Sequence, residues 1–409
     1  MKIVIIGAGP AGVSAAETIR AENQDCEIIM LSAEPYPPYS PPALVEYFLS
    51  GNPVHFWKGE DFTDRLNINY QSGTRVTAIK PHARQVTIES GEDIAYDTLI
   101  IAAGARLYSP LERADLENIH NFKSLQAGEK MLEKVRRREV SSALIIGAGF
   151  IGVEIALLLN EMGLDVTMLV RSRVMRTMLD PETSEEVLTL LKEKGINIIQ
   201  GDDADAVAFS GKTEAEAVQM RSGNELRADL LVAATGLKPN LEMLNESGLE
   251  SDWGILVDSY LETTYPYIYA AGDIAETTDR FSGKRYTNAN YPNAVEQGRV
   301  AALNVLGHKT AYSGSDSMNS LKHIGIPVMA AGMMEGEELR SRVKGRLLKL
   351  WVLDNRLVGF RLTGEVYNAG LYLNLMRRKV DISTFKDDLL DPAFGYSLLT
   401  AKSISPELI

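Results

Sequence analysis

The stretch IVIIGAGPAGV, Ile3–Val13, decides how this chain folds. Ile3–Ile6 is a short, continuously apolar run that reads as a buried strand. Gly7-x-Gly9-x-x-Gly12 follows at once, and Ala11–Arg20 reads as the helix it opens into. Each glycine has a mechanical reason. The first permits a tight turn, the second lets a pyrophosphate approach the backbone, and the third lets helix and strand pack closely. The helix N-terminus adds unpaired N–H groups and the positive end of a dipole. Glu27–Leu31 reads as the next strand, and Glu34 stands 22 residues past Gly12, where a carboxylate can accept hydrogen bonds from a ribose. Strand, glycines, helix and acid together spell a dinucleotide-binding unit.

The same order recurs 140 residues later. Ala143–Ile146 reads as a strand, Gly147-x-Gly149-x-x-Gly152 as the turn, Ile151–Met162 as the helix and Asp165–Val170 as the next strand. A repeat of this length is a duplicated mononucleotide-binding unit, since solenoid repeats run 20–50 residues. Nineteen residues past Gly152 the acidic position holds Arg171, with Arg173 two further on. A carboxylate there would accept from a ribose 2′-hydroxyl, whereas a guanidinium pairs with a 2′-phosphate. The arginines therefore lean the second site towards NADP(H), the alternative being two solvated charges on an exposed loop.

Composition bounds the rest. A chain of 409 residues, 45% hydrophobic and 24% charged, has the size of two to three domains and enough apolar content to bury a core. A net charge of −13 argues against nucleic acid or an anionic membrane as partner. Cys26 is the only cysteine, which excludes an internal disulfide, a CxxC redox pair and any cluster held by four protein thiolates. No segment reaches the apolar length of a membrane span. The N-terminal apolar run could pass for a short signal peptide, but Gly7, Gly9, Pro10 and Gly12 interrupt it and no clean cleavage site follows. The expectation is a soluble, cytoplasmic protein without membrane insertion. His55, His82, His120, His308 and His323 show no metal-ligand spacing, so no metal is expected.

Between and after the two units the pattern is α/β. Arg75–Lys80 and Gln85–Glu89 read as a meander leading to the strand Thr98–Ala102, and Leu230–Ala234 and Ile268–Ala271 as further buried strands. From about residue 312 the character changes. Leu347–Leu353 and Leu357–Leu362 flank Asp354-Asn355, a hairpin turn signal, and Gly370–Arg378 reads as a helix. The basic residues Arg342, Lys344, Arg346 and Lys349, with Arg377-Arg378-Lys379, stand out in an acidic chain. They read either as a solvated face or as a docking patch for an acidic electron carrier.

Further motifs give these units a family. Tyr96-Asp97-x-Leu99-Ile100-Ile101-Ala102-Ala103-Gly104-Ala105 resembles YDxLIIATGA, and Ala234-Thr235-Gly236-x-Lys238-Pro239-Asn240 resembles ATGxRPN. Tyr269-Ala270-Ala271-Gly272-Asp273 is similar to a second FAD motif, and Ala294-x-x-Gln297-Gly298-Arg299 to an AxxQGxxAA helix. Together the chain resembles the FAD-dependent pyridine nucleotide–disulfide oxidoreductases, nearest the branch of rubredoxin and ferredoxin reductases, NADH oxidases and coenzyme A–disulfide reductases. The resemblance implies two Rossmann-like domains and a C-terminal α+β domain. FAD would be held by residues 1–110 and 240–311, NAD(P)H by 111–239, and an interface domain would occupy 312–409. It implies that Gly7, Gly9, Gly12 and Glu34 hold the adenosine half of FAD, with Gly272 and Asp273 at its ribityl–pyrophosphate region. Gly147, Gly149 and Gly152 would hold the nicotinamide dinucleotide, with Arg171 and Arg173 at its ribose. Ala103, Gly104, Gly236 and Gln297 join the cofactor-binding set by motif, Ala103 standing where the family has a threonine. Glu154, in GxGxxGxE, would lie where nicotinamide meets flavin, or else be a helix-surface charge.

The departures carry as much. In Pro38-Tyr39-Ser40-Pro41-Pro42-Ala43-Leu44-Val45-Glu46, Pro42 stands where relatives resembling SPCALPY have a redox cysteine. Disulfide reductase and peroxidase chemistry through that thiol is excluded. In relatives resembling PYDRPPLSK a lysine stands where this chain has Glu46, so Glu46 and Glu154 read as two carboxylates near the flavin. The alternative is a short loop shift that turns Glu46 outward. Tyr36, Tyr39 and Tyr47 would either approach the flavin or pack as ordinary aromatics. The implied activity is FAD-dependent electron transfer between NAD(P)H and an iron–sulfur or rubredoxin-type protein, or a partner subunit. Two alternatives remain: an NADH oxidase using oxygen, and an FAD- and NAD-binding subunit of a larger oxidoreductase complex. A homodimer is a further possibility the resemblance raises.

Overall fold

The computed structural model describes residues 1–395 apart from 56–57, 117, 121, 322–324, 326, 344, 365 and 392. Two parallel five-stranded sheets carry the two glycine units. The first runs in the order Ile268–Ala270, Thr98–Ile101, Lys2–Ile6, Glu27–Leu31, Asn69–Gln71. The second runs Asn197–Gln200, Asp165–Val170, Ser142–Ile146, Leu230–Ala233, Ile119–His120. The central strands are buried on both faces, as parallel strands flanked by helices must be, which is why they read as unbroken apolar runs. In each sheet the chain crosses from the central strand to neighbours on either side. That leaves a crevice beyond the strands' C-terminal ends, the usual ligand position of such sheets.

The repeat runs deeper than the sequence pattern suggested. Each unit also carries a three-stranded antiparallel meander: Val76–Lys80, Gln85–Ile88 and Asp93–Ala95 in the first, Ala206–Ser210, Ala217–Met220 and Glu225–Leu226 in the second. The two units are stitched by Ala105–Leu107 pairing antiparallel with Leu237–Pro239. Asn240 reinforces the stitch, donating to the Ala103 carbonyl at 2.8 Å and accepting from Arg106 at 2.9 Å.

The C-terminal segment forms a five-stranded antiparallel sheet in the order Met318–Leu321, Val328–Gly332, Arg356–Thr363, Arg346–Leu353, Glu337–Val343. Asp354 and Asn355 both adopt positive φ (50° and 57°), the conformation a two-residue hairpin turn requires. Leu348, Leu350, Phe360 and Leu362 pack on Leu371, Tyr372, Leu375 and Met376 of the helix Ala369–Arg377. The fold class expected from sequence is the one observed.

While Arg378 and Lys379 are exposed and keep the docking-patch reading open, the opposite face of this sheet corrects it for Arg342 and Lys349. Its register sets Arg340, Lys349 and Arg361 side by side across three strands. Like charges so placed repel. The helix Pro181–Glu193 supplies the answer: Lys349 Nζ lies 2.6 Å from its N-cap Asp180 and 2.9 Å from Glu182, and Arg340 and Arg342 also bind Glu182. Glu186 pairs with Arg342 and accepts from Thr363. Hydrogen bonds from Arg340 and Lys349 hold the Glu182 carboxyl well below its ordinary range. Arg361 is fully buried and donates instead to the carbonyls of Ala331, Phe360 and Gly332 over the Trp351 ring, its guanidinium pushed down to about 10 by burial. Arg377 is likewise bound to the buried Asp316. Lys344 lies outside the described residues. The described members of the cluster Arg342, Arg346 and Lys349 thus work inside the molecule, Arg346 and Lys349 being buried.

Two predictions follow from these buried groups. Lys349→Met leaves Asp180 buried without its cation and costs roughly 3 kcal/mol, read as an earlier urea unfolding midpoint. His120, on the second sheet's edge strand, is buried with no partner for Nε2; burial, with Lys134 and Lys130 nearby, pushes its pKa down to about 4. The unfolded chain takes up this proton near 6.5 and the folded chain only near 4, so stability drains as pH falls across that window. The loss approaches about 3 kcal/mol at the acid end, and His120→Leu flattens this part of a thermal-melt pH profile.

Candidate functional site

The two glycine turns are built alike. Gly7 and Gly147 both take φ +107°. A Cβ on Gly7 would sit 2.2 Å from the Ala102 carbonyl oxygen, and one on Gly147 2.4 Å from that of Ala234. A Cβ on Gly12 or Gly152 would reach 2.0 or 2.2 Å from the carbonyl oxygen of Gly7 or Gly147. These four glycines are demanded by the protein's own backbone. Gly9 and Gly149 are different: a Cβ on either would meet nothing within 4 Å. Each is the N-cap of its helix, no side chain caps that helix, and no acid stands in its first turn. Free N–H groups at a helix N-terminus, open ground in front of them and no resident carboxylate make a cradle that fits a pyrophosphate.

Around the first cradle the structure gathers Gly104, Gly272, Asp273 and Glu34. Gly104 (φ +65°) faces open space, and Gly272 (φ +82°) lies so near the first helix that a Cβ would come within 3.0 Å of Ala11. Glu34 is half-buried and accepts from the Tyr39 hydroxyl at 3.0 Å and from the Gln126 N–H at 3.4 Å. Burial pushes its pKa up, against the pull of those bonds. Tyr36 and Tyr47 both donate to Glu129, at 2.8 and 3.2 Å. The three tyrosines thus build the polar wall of this corner.

Two residues the sequence reading missed or misplaced matter here. Lys123, from the loop before the helix Leu125–Arg136, lies 2.8 Å from Asp273, joining positions 150 residues apart. No local pattern announces it. Gln297 was expected among the cofactor-binding residues, but it is fully buried and spent. Its carbonyl accepts from the Gly272 N–H at 2.7 Å and its amide donates to Tyr312 and Ser315. It braces the Gly272 turn from behind.

Around the second cradle, Gly236 faces open space and Glu154 sits half-buried two residues past Gly152 on the helix Phe150–Glu161. Arg171 extends from the end of its strand, largely exposed, 3.8 Å from Asp205. Arg173 does not join it. Its guanidinium turns inward to the carbonyls of Arg176 and Leu179. Glu46 is a correction of the same kind. On the helix Leu44–Ser50 the face made by Leu44, Val45 and Phe48 packs into the second unit's core. Helical periodicity turns Glu46 outward, exposed, within reach of Ser50 and Asn52. The exposed Glu46 and the half-buried Glu154 therefore lie in different environments. Among the described residues there is no His/Cys/Asp/Glu group that could hold a metal.

Comparison with known proteins gives the chain a family. The family model "Pyridine nucleotide-disulphide oxidoreductase" matches residues 1–298. The chain is 28% identical over 404 residues to the assimilatory nitrate reductase electron transfer subunit of Bacillus subtilis, covering 96% of this chain but 51% of that protein. It therefore spans about half the length of that relative. It is 29% identical to the NADH-rubredoxin oxidoreductase of Clostridium acetobutylicum, covering 89% of this chain and 91% of the other. Among solved structures, a chain of the covalent putidaredoxin reductase–putidaredoxin complex superposes with a TM-score of 0.84 at 25% identity, covering 98% of both.

The Lys123–Asp273 pair gives a direct test of the first cradle. Lys123→Met removes the cation beside Asp273 and is expected to weaken FAD binding roughly tenfold, the worth of one charged hydrogen bond. Fluorescence titration of the deflavinated protein with FAD reads this.

Proposed function

Because this chain belongs to the pyridine nucleotide-disulphide oxidoreductase family, we propose that it oxidises NAD(P)H and delivers the electrons, by way of bound FAD, to a separate redox protein or partner subunit. The observation that carries this is a pair of equivalent cradles in a chain with one cysteine. The division of labour follows the sheets: residues 1–110 and 240–311 hold FAD, 111–239 hold NAD(P)H, and 312–409 form an interface domain.

FAD supplies the chemistry when bound, taking a hydride from the reduced nicotinamide and releasing electrons one at a time. The chain's own residues do the rest. The helix starting at Pro10 presents its first-turn N–H groups to the FAD pyrophosphate, and Gly9 keeps that approach open. Glu34 accepts from the adenine ribose, held in place by Tyr39. Asp273, braced by Lys123 and by the Gln297–Gly272 bond, faces the ribityl end. Gly149 performs for NAD(P)H what Gly9 performs for FAD. Glu154 orients the nicotinamide end, and fixing the two rings against each other is the protein's main contribution to rate.

The acceptor lies outside this chain. A rubredoxin-type or clustered iron centre needs several thiolates, and Cys26 alone cannot ligate one. Relatives named as a rubredoxin oxidoreductase and an electron transfer subunit support a protein acceptor, while a relative named NADH oxidase supports the oxygen alternative. Among the described residues no helix is long and apolar enough to cross a membrane. A lone buried thiol fits the reducing conditions of the cytoplasm, where we place the protein.

Anaerobic rapid mixing with NADH or NADPH, followed by addition of rubredoxin or a ferredoxin, tests this reading. Flavin bleaching by nucleotide and its rapid recovery on adding carrier are expected. Recovery with oxygen alone at the same rate would favour an NADH oxidase. In the same assay Glu154→Gln is expected to slow flavin bleaching at least tenfold, while Glu46→Gln, on the outer helix face, leaves it within about twofold.

A further inference from the structure

The strand Asp165–Val170 ends in Arg171, the position from which such units usually reach the adenine ribose with a carboxylate. The neighbouring strand, Asn197–Gln200, is in register with it, Val170 beside Gln200, so the two strand ends open onto the same edge. After one 3-10 turn, Gly201–Ala204, comes Asp205. Its carboxylate lies 3.8 Å from the Arg171 guanidinium and 2.5 Å from Arg221 Nε. The backbone of Asp205 is pinned as well, its N–H donating to the Asp202 carbonyl at 3.2 Å and its carbonyl accepting from the Arg221 N–H at 2.8 Å. Asp205 is therefore the fixed member of the group. Its side chain is 18% exposed, against 64% for Arg171 and 71% for Arg221.

We propose that Asp205 supplies, from the adjacent crossover, the carboxylate that residue 171 lacks, accepting the hydrogen bond of the adenine-ribose 2′-hydroxyl and making the site selective for NADH over NADPH. This rests on the reading of the second unit as the nucleotide site. Three arginines stand near this edge: two bond within the chain, and the largely exposed Arg171 lies 3.8 Å from the Asp205 carboxylate. Arg221 clamps Asp205, Arg171 faces it, and Arg173 is turned inward onto its own loop. A 2′-phosphate would bring further negative charge against a fixed carboxylate, with Asp202 and Asp203 exposed on the turn just before it. A 2′-hydroxyl, by contrast, is a donor that this carboxylate accepts. The hydrogen bond from Arg221 holds the Asp205 carboxyl below its usual range, so it is an acceptor throughout the neutral range. On this proposal, what Arg171 and Arg173 face runs against the lean towards NADP(H) that they gave in sequence.

The test is binding, independent of turnover. The FAD-loaded protein is titrated calorimetrically with ADP-ribose and with its 2′-phosphorylated form. The wild type is expected to bind ADP-ribose at least tenfold more tightly. Asp205→Asn is expected to cut that preference at least fivefold, by weakening ADP-ribose and tightening the phosphorylated probe. Arg221→Ala, which unclamps the carboxylate without removing it, retains a preference for ADP-ribose and separates loss of charge from local distortion. A wild type that prefers the phosphorylated probe, or an Asp205→Asn protein with an unchanged ratio, overturns the role of Asp205 alone. Binding of neither probe overturns the assignment of the second unit as nucleotide site, and the role of Asp205 with it.

Discussion

A carbonyl oxygen pressed against a missing side chain sets the geometry of this protein twice over. The Gly7 oxygen lies 2.0 Å from where a Cβ on residue 12 would stand, and the Gly147 oxygen 2.2 Å from the same point on residue 152. No side chain fits, so strand and helix approach as closely as backbones allow. That approach aims each helix N-terminus at the C-terminal edge of its sheet. It also fixes where Gly9 and Gly149 open, and brings the Ala103-Gly104 and Thr235-Gly236 turns alongside. The acidic and basic groups that would read a ribose are then found at the ends of the neighbouring strands because the parallel register puts them there.

A second constraint is electrostatic and joins the C-terminal sheet to the second unit. Three cations in a cross-strand row are unfavourable alone, and the acidic start of the helix Pro181–Glu193 turns them into an adhesive. Asp180 serves twice, capping its own helix through the N–H groups of Glu182 and Thr183 while receiving Lys349. Because Lys349 is 6% exposed in side chain, its charge is tolerable only with these partners present. The arrangement thus ties burial of the sheet face to one orientation of that helix. A basic cluster in an acidic chain invites a reading as a docking site, but here the complementary acid is in the same molecule.

What was legible in sequence was local. The glycine fingerprints, the buried strands and the Asp354-Asn355 turn each depend on a few consecutive residues and their backbone demands. The misreadings have a common cause, which is that a motif gives position but not direction. Glu46 occupies a telling place in its segment, yet the apolar face of Leu44, Val45 and Phe48 rotates it outward. Gln297 belongs to a recognisable motif, yet it faces the back of the Gly272 turn. Lys123 with Asp273, Arg171 with Asp205 and Lys349 with Asp180 are contacts across long stretches of chain. Nothing in either partner's neighbourhood encodes them, and only the fold brings them together.

The single cysteine acquires a sharper meaning once it is placed. Cys26 is buried just before the strand Glu27–Leu31, so it stands at the start of a strand whose far end leads to Glu34 and the first cradle. It is separated from the site by the length of that strand. At the segment where a redox thiol would stand, Pro41–Ala43 forms a short 3-10 turn with Pro42 exposed. Neither position offers sulfur to a flavin in the first cradle. On the proposed function, electrons gathered there have no covalent resting place on cysteine and leave across the surface. The cationic row of the C-terminal sheet is no exit, because its charges are already matched and covered by the helix Pro181–Glu193. On the proposed function, a protein carrier would therefore dock away from that row.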